Sequence, residues 1–254
     1  MNGSEAVLNH VPELKQRSRR VIALLLALSC FALATSGMVI VDSLWPQWTG
    51  LGQIAGVILG FAISAQFFWR RREYREKYGD RCYRNAFLHF ILPGLPFMFA
   101  AIFHTAYLPG MRLPLNGATP IVSMIGLYLL VTGALLYVRA YLVFGTDNLA
   151  MLYVYFPQEG RLVNSSIYSI LRHPAYSGAI RTGMALGLWR GTAFSILFGL
   201  FMPIGLTIWL RLVEEPELIE RFGEAYREYR KKVPAFWPRW QDARKFWRFL
   251  IRGQ

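Results

Sequence analysis

The sequence predicts an all-α, polytopic integral membrane bundle of about six spans, ending in an amphipathic C-terminal helix. Three observations predict it. Hydrophobic residues make up 54% of the 254-residue chain and charged residues only 17%, where soluble domains carry roughly 25% charged residues. Apolar runs long enough to cross about 30 Å of hydrocarbon as helices recur along the chain. Lys and Arg flank those runs instead of forming one exposed stripe, so the net charge of +13 reads as membrane topology and not as nucleic-acid binding.

The elements follow in order. Residues 1–20 are polar and end in Lys15-Gln16-Arg17-Ser18-Arg19-Arg20, and Val21–Val41 is the first span. That run exceeds the apolar core of a cleavable signal, so it is expected to be retained. Asp42–Gly50 holds Trp45 and Trp48 but no Lys or Arg, as an aromatic-belted outer loop would. Leu51–Trp69 is the second span, followed by a strongly basic loop from Arg70 to Arg84. Ala86–Leu108 is the third, with kinks expected at Pro93 and Pro96. After a turn-rich loop, Pro120–Phe144 is the fourth. Gly145–Leu171 is too polar to cross and too short to be a domain. Ala175–Trp189 and Thr192–Leu212 form a tight hairpin around Arg190-Gly191. The first arm covers only about 22 Å as a helix, so five spans plus a re-entrant hairpin is the alternative. In the tail, Leu218, Phe222, Ala225, Tyr226, Tyr229 and Val233 recur near the helical period, which predicts one amphipathic helix.

The loops on one side hold nearly all the basic residues and the opposite loops only Arg112 and Arg190, which puts both termini in the cytoplasm, as for a bacterial inner-membrane protein. Residues 1–120 then form three N-terminal spans, and residues 121–254 a membrane core with a cytoplasmic C-terminal segment. Cys30 and Cys82 fall at different depths and belong to no paired motif, so both are expected to be free thiols. His89 and His104 are about four helical turns apart, and no metal-ligand pattern appears.

Chemistry concentrates at the two mouths of the hairpin. Arg172-His173-Pro174-Ala175-Tyr176-Ser177-Gly178 opens it, with Pro174 suited to a first helical turn. Arg172 alone reads as an arginine snorkelling to headgroups, but His173 and Tyr176 together can bond or stack on a ligand. At the exit, Arg211 is three and four residues from Glu214 and Glu215 and should share their helix face. Glu217 and Glu220 suit a helix N-terminus through its dipole. Arg181 lies inside a span, at a cost of about 2.5–3.5 kcal/mol on insertion scales, and needs an acidic partner, a lipid phosphate or a ligand carboxylate. Arg139 is near its span's end and should snorkel.

These residues resemble the isoprenylcysteine carboxyl methyltransferase family, which is related to the phospholipid methyltransferases. The resemblance rests on Leu162-Val163, Ile167-Tyr168 and Arg172-His173-Pro174 with Tyr176 and Gly178. It continues in Arg211, Glu214-Glu215, Leu218, Phe222-Gly223, Tyr226, Tyr229, Val233-Pro234 and Pro238. It covers about residues 125–240, and Asn164-Ser165-Ser166 departs from it where many relatives carry a Gly before the Ile-Tyr pair. The resemblance implies a membrane methyltransferase using S-adenosylmethionine, with no Gly-rich dinucleotide loop. Arg172, His173, Tyr176, Glu215, Tyr226 and Tyr229 are then expected to hold the cofactor, through cation–π contact with the sulfonium, carboxylate bonds to ribose and arginine bonds to a carboxylate. Arg211 and Glu214 would orient the acceptor. Arg181 would hold either the cofactor carboxylate or the substrate head. The acceptor would be a lipid or another membrane-soluble small molecule, methylated at a carboxylate, thiol or amine. Two alternatives stand beside this reading: a nicotinamide-dependent membrane reductase of the steroid 5-reductase type, and a non-enzymatic lipid-binding or transport protein.

Overall fold

A computed structural model describes residues 5–114 and 116–253. Among the described residues the chain is helical, without a named strand. In chain order the α-helices are α1 (Glu5–His10), α2 (Arg17–Leu44), α3 (Thr49–Trp69), α4 (Arg71–Tyr78), α5 (Cys82–Ala86), α6 (Leu92–His104), α7 (Thr119–Leu149) and α8 (Pro174–Arg190). They continue as α9 (Ala193–Trp209), α10 (Glu215–Phe222), α11 (Glu224–Lys232) and α12 (Ala243–Arg252). Five helical segments are long and apolar enough to cross a membrane: Arg17–Leu44, Pro46–Trp69, Arg71–His104, Asn116–Leu149 and Ala193–Phe222. Their outward faces carry exposed Leu, Ile, Val and Phe, the surface an integral membrane protein offers to lipid.

α8 differs from these five. It has 17 residues, and Ser177 to Ile180, Arg181, Gly183, Ala185 and Gly187 are all buried against α7 and α9. Small residues permit this closeness. A Cβ on Gly178 would meet the Gly133 carbonyl at 2.8 Å, and one on Gly187 would overlap the Ser195 carbonyl. Backbone–backbone approach of this kind drives helix association where lipid removes the hydrophobic force between helices. The hairpin turns at Gly191 (φ 72°), and Thr192 caps α9 by accepting the Ser195 N–H at 3.2 Å. α2, α3 and α6 form a second packed group that meets the hairpin through α6 and α8.

Several expectations are corrected. The basic stretch after Arg70 is not a loop: it folds as α4 and α5, leading through a π-helical turn (Phe87–Ile91) into α6. The π turn precedes Pro93 and Pro96, whose missing N–H groups interrupt the ordinary ladder. The tail is not one amphipathic helix. Gly223 at φ 58° separates α10 from α11, and a third helix, α12, follows. The periodicity survived the break because both pieces bury an apolar face in one cluster of Leu218, Phe222, Tyr226, Tyr229 and Val233. Arg139 does not snorkel: its guanidinium donates to the Leu250 and Ile251 carbonyls, capping the C-terminal end of α12. α1 is also tied down, since Asp147 accepts the Ala6 and Val7 N–H groups at 3.3 and 3.0 Å. Cys30 and Cys82 are free, as expected.

Candidate active site

The entry to α8 and the end of the tail are joined by main-chain bonds. The N–H groups of Arg172 and His173 donate to the Pro234 and Ala235 carbonyls at 2.9 and 3.1 Å, and Ser177 Oγ donates to Phe236 O at 2.5 Å. Pro234 favours this because it holds Val233 extended (φ −113°, ψ 127°) and so ends α11 there. His173 is the non-helical residue before α8, and Pro174 occupies the first turn.

At the other mouth, Leu210–Glu214 is a π-helical turn between α9 and α10. Such turns insert an extra residue and are frequent at functional sites. This one swings Glu214 and Glu215 toward His173. Glu214 accepts from Tyr176 Oη at 2.6 Å and from Trp209 Nε1 at 3.3 Å, and faces His173 Nδ1 at 3.4 Å. Glu215 is buried and fully engaged: Oε1 takes Arg172 Nη2 at 2.9 Å and Tyr226 Oη at 3.3 Å, and Oε2 faces Arg230 Nη1 at 3.2 Å. The His173 and Tyr176 rings stack with centroids 5.7 Å apart. Arg172 also donates to the Arg230 and Val233 carbonyls. Tyr229 Oη donates to Tyr168 O at 2.5 Å.

These groups open onto one cavity of about 500 Å³. Its polar end is walled by Arg161, Arg172, His173, Glu214, Glu217 and Arg221, with Tyr176, Trp209, Tyr226 and Tyr229 beside them. Its other end runs between α3, α6 and α9, along Ile58, Phe61, Leu95, Met98 and Phe201. Burial alone would lower the His173 pKa, but the Glu214 and Glu215 carboxylates outweigh it and raise the group above its ordinary 6.5. Burial pushes the Tyr168, Tyr226 and Tyr229 hydroxyls up, so they remain neutral donors.

Of the sequence-predicted residues, Arg172, His173, Tyr176, Glu214, Tyr226 and Tyr229 line the cavity, and Glu215 lies just behind its wall. Two are elsewhere. Arg211 is exposed and has no ion pair or hydrogen bond among the described residues, because the π turn breaks the spacing that would have put it on the Glu214–Glu215 face. Arg181 is buried away from the cavity. It donates to Ser177 and stacks over the rings of Trp237 at 4.3 Å and Phe246 at 5.9 Å, so aromatic faces stand where an acidic partner was expected.

The sequence reading missed Trp209, Arg230, Glu217 and Arg221. Glu217 was assigned to the α10 dipole, yet it is buried, with Arg221 Nη2 donating to it at 3.1 Å. Their four-residue spacing was a legible signal, whereas Trp209 depends on the π turn and Arg230 on the return of the tail. Glu220 does face outward and pairs with Arg71 and Arg72. The Asn164-Ser165-Ser166 departure is also resolved: Ser166 adopts φ 52°, a left-handed conformation that glycine would adopt without strain. His89 and His104 are separate, bonded to Tyr74 Oη at 2.8 Å and to Asp42 at 2.6 Å. Among the described residues no cluster of three or more His, Cys, Asp or Glu could hold a metal ion.

Residues 121–225 match the phospholipid methyltransferase family. Over 79 residues the chain is 39% identical to protein-S-isoprenylcysteine O-methyltransferase of Schizosaccharomyces pombe, covering 29% of this chain and 31% of that protein. Over 85 residues it is 34% identical to methanethiol S-methyltransferase of Pseudomonas deceptionensis, covering 32% of this chain and 30% of that protein. The chain thus matches about a third of the length of these curated relatives. No solved structure matches.

Proposed function

We propose that this membrane protein transfers a methyl group from S-adenosylmethionine to a lipidic or membrane-soluble acceptor; the match of residues 121–225 to the phospholipid methyltransferase family supports the reading. The observation that carries the reading is the two-ended cavity. Its polar end combines aromatic rings, a paired arginine and carboxylates, and its apolar end opens between α3, α6 and α9.

The side chains at the polar end fit the cofactor's chemistry. His173 Nε2 is buried at the wall without a hydrogen bond, with Glu215 Oε1 at 3.7 Å, and can donate to a ligand oxygen. The Tyr176, Tyr226 and Tyr229 rings can face a sulfonium by cation–π attraction. Arg172 can take a carboxylate, and Glu215 holds Arg172 and Tyr226 in position. When bound, the cofactor supplies an activated methyl, so the protein's task is alignment more than acid–base assistance. Tyr176 and Trp209 fix the Glu214 carboxylate. The apolar limb receives the acceptor's hydrocarbon and excludes water from the reacting end. The basic side of the bundle faces the cytoplasm, where a soluble cofactor reaches the polar end.

Calorimetric titration of the detergent-purified chain with S-adenosylmethionine and, separately, with NADPH tests the reading. Saturable heat with the first and none with the second is expected. Binding of NADPH alone would turn the assignment to a reductase, and absence of both would leave a lipid-binding protein. Incubation of labelled cofactor with a membrane lipid extract then identifies the acceptor.

A further inference from the structure

Two carboxylates line the cavity, Glu214 and Glu217, and their bonding differs. Glu214 is engaged at both oxygens: Oε2 accepts from Tyr176 and Trp209, and Oε1 faces His173. Glu217 is engaged at one. Arg221 Nη2 donates to Oε2 at 3.1 Å, and Oε1 accepts no hydrogen bond among the described residues. The ion pair is itself buried, with side-chain exposures of 11% for Arg221 and 5% for Glu217. Glu217 and Arg221, four residues apart on α10, line the cavity just beyond Glu214, which ends the π turn. A buried carboxylate is costly unless paired and bonded. Arg221 pairs with one Glu217 oxygen and leaves the second without a donor at the cavity wall.

From this geometry we propose that Glu217 accepts the proton of a protic acceptor, an ammonium or a thiol, so that the site is built for acceptors that must shed a proton. The inference rests on the methyltransferase reading. An acceptor carboxylate brings a lone pair and no proton, and so offers Glu217 Oε1 no donor. An ammonium or thiol instead donates to Glu217 Oε1. In the transfer, the acceptor's N or S forms the new bond to the methyl carbon, and the carbon–sulfonium bond breaks with its electron pair returning to the donor sulfur. The acceptor proton passes to Glu217 and from there to cytoplasmic water. Arg221 is a positioning residue, since it acts through Glu217.

Decylamine, decanethiol and decanoate share one chain length and differ in headgroup, so they serve as probes. On the full chain with S-adenosylhomocysteine bound, decylamine or decanethiol should bind at least about tenfold tighter than decanoate, as a charge-assisted hydrogen bond predicts. This measurement needs no variant, and the reverse order overturns the proposal. Glu217→Gln should weaken the favoured probe by about tenfold while leaving S-adenosylmethionine affinity unchanged. Its methyl-transfer rate should fall at neutral pH and approach wild type as pH rises past the acceptor's own pKa, with partial rescue by Glu217→Asp. Equal pH profiles for wild type and Glu217→Gln would reduce the Glu217–Arg221 pair to a structural ion pair. Wild-type protein that binds no S-adenosylmethionine would instead overturn the methyltransferase reading itself.

Discussion

His173 and Glu215 show how single side chains carry the site. His173 is buried between two carboxylates and its pKa is raised above 6.5. Its charged form is therefore favoured by folding. That stabilisation is fully present below the unfolded value and is lost as pH rises through the folded one. The melting-temperature gap between wild type and His173→Gln should be large at pH near 6 and shrink above that folded value; a gap independent of pH would contradict the pairing. Glu215 holds Arg172, Arg230 and Tyr226 at once, so Glu215→Ala strands a buried guanidinium. Denaturant titration should show a loss of about 3–5 kcal/mol, the usual cost of removing one partner of a buried pair. The milder Glu215→Gln should weaken cofactor binding at least about tenfold, or about 1.4 kcal/mol, by loosening Arg172 and Tyr226.

Helices set these side chains through close packing and through one irregular turn. α8 reaches its buried position because Gly178 and Gly187 let carbonyls of α7 and α9 approach to where a Cβ would stand. Gly178→Val meets the Gly133 backbone and Tyr137, neither of which can give way cheaply, so the variant should lose at least about 2 kcal/mol in thermal or denaturant unfolding. Gly205 offers the contrast. It lines the apolar limb, and a Cβ there meets nothing within 4 Å. Gly205→Leu should therefore keep the fold and the cofactor affinity but shorten the longest acceptor chain that is methylated. Comparing a series of acceptor chain lengths checks this, and an unchanged length profile would remove α9 from the acceptor route. The π turn at Leu210–Glu214 does the complementary work, turning Glu214 inward and Arg211 outward.

Across the whole molecule, charge sets orientation and the two packed groups share one cavity. Met111 is 87% exposed on the side poor in basic residues, and Trp240 is 95% exposed on the basic side. The proposed orientation, with both termini cytoplasmic, predicts that Met111→Cys reacts with an impermeant maleimide in intact cells, and Trp240→Cys only after permeabilisation. The opposite labelling pattern would invert the topology and put the polar end of the cavity outside. Ile58 and Phe61 from α3 and Leu95 and Met98 from α6 face the same space as Phe201 from α9. The N-terminal helices thereby furnish part of the proposed acceptor wall, although they carry no residue of the polar cluster around His173 and Glu214.

The sequence by itself determined the helical membrane class, five long apolar helical segments, the hairpin and most of the polar cluster. Span length, apolar runs and the spacing within Arg172-His173-Pro174-Ala175-Tyr176 are local properties, and the bilayer enforces them whatever the neighbours do. It also marked Glu214 and Glu215, because two carboxylates at a span's end are costly wherever they point. Only the tertiary structure decided which of these groups meet. The π turn, the break at Gly223 and the return of Pro234–Phe236 onto α8 depend on packing between segments far apart in the chain. Those three features took Arg211 out of the site, gave Arg181 aromatic partners and brought Trp209, Arg230 and Glu217 in. A helical period fixes which residues share a face only while the helix is regular. Where a turn gains a residue or a glycine breaks the rod, the face is chosen by what the chain packs against.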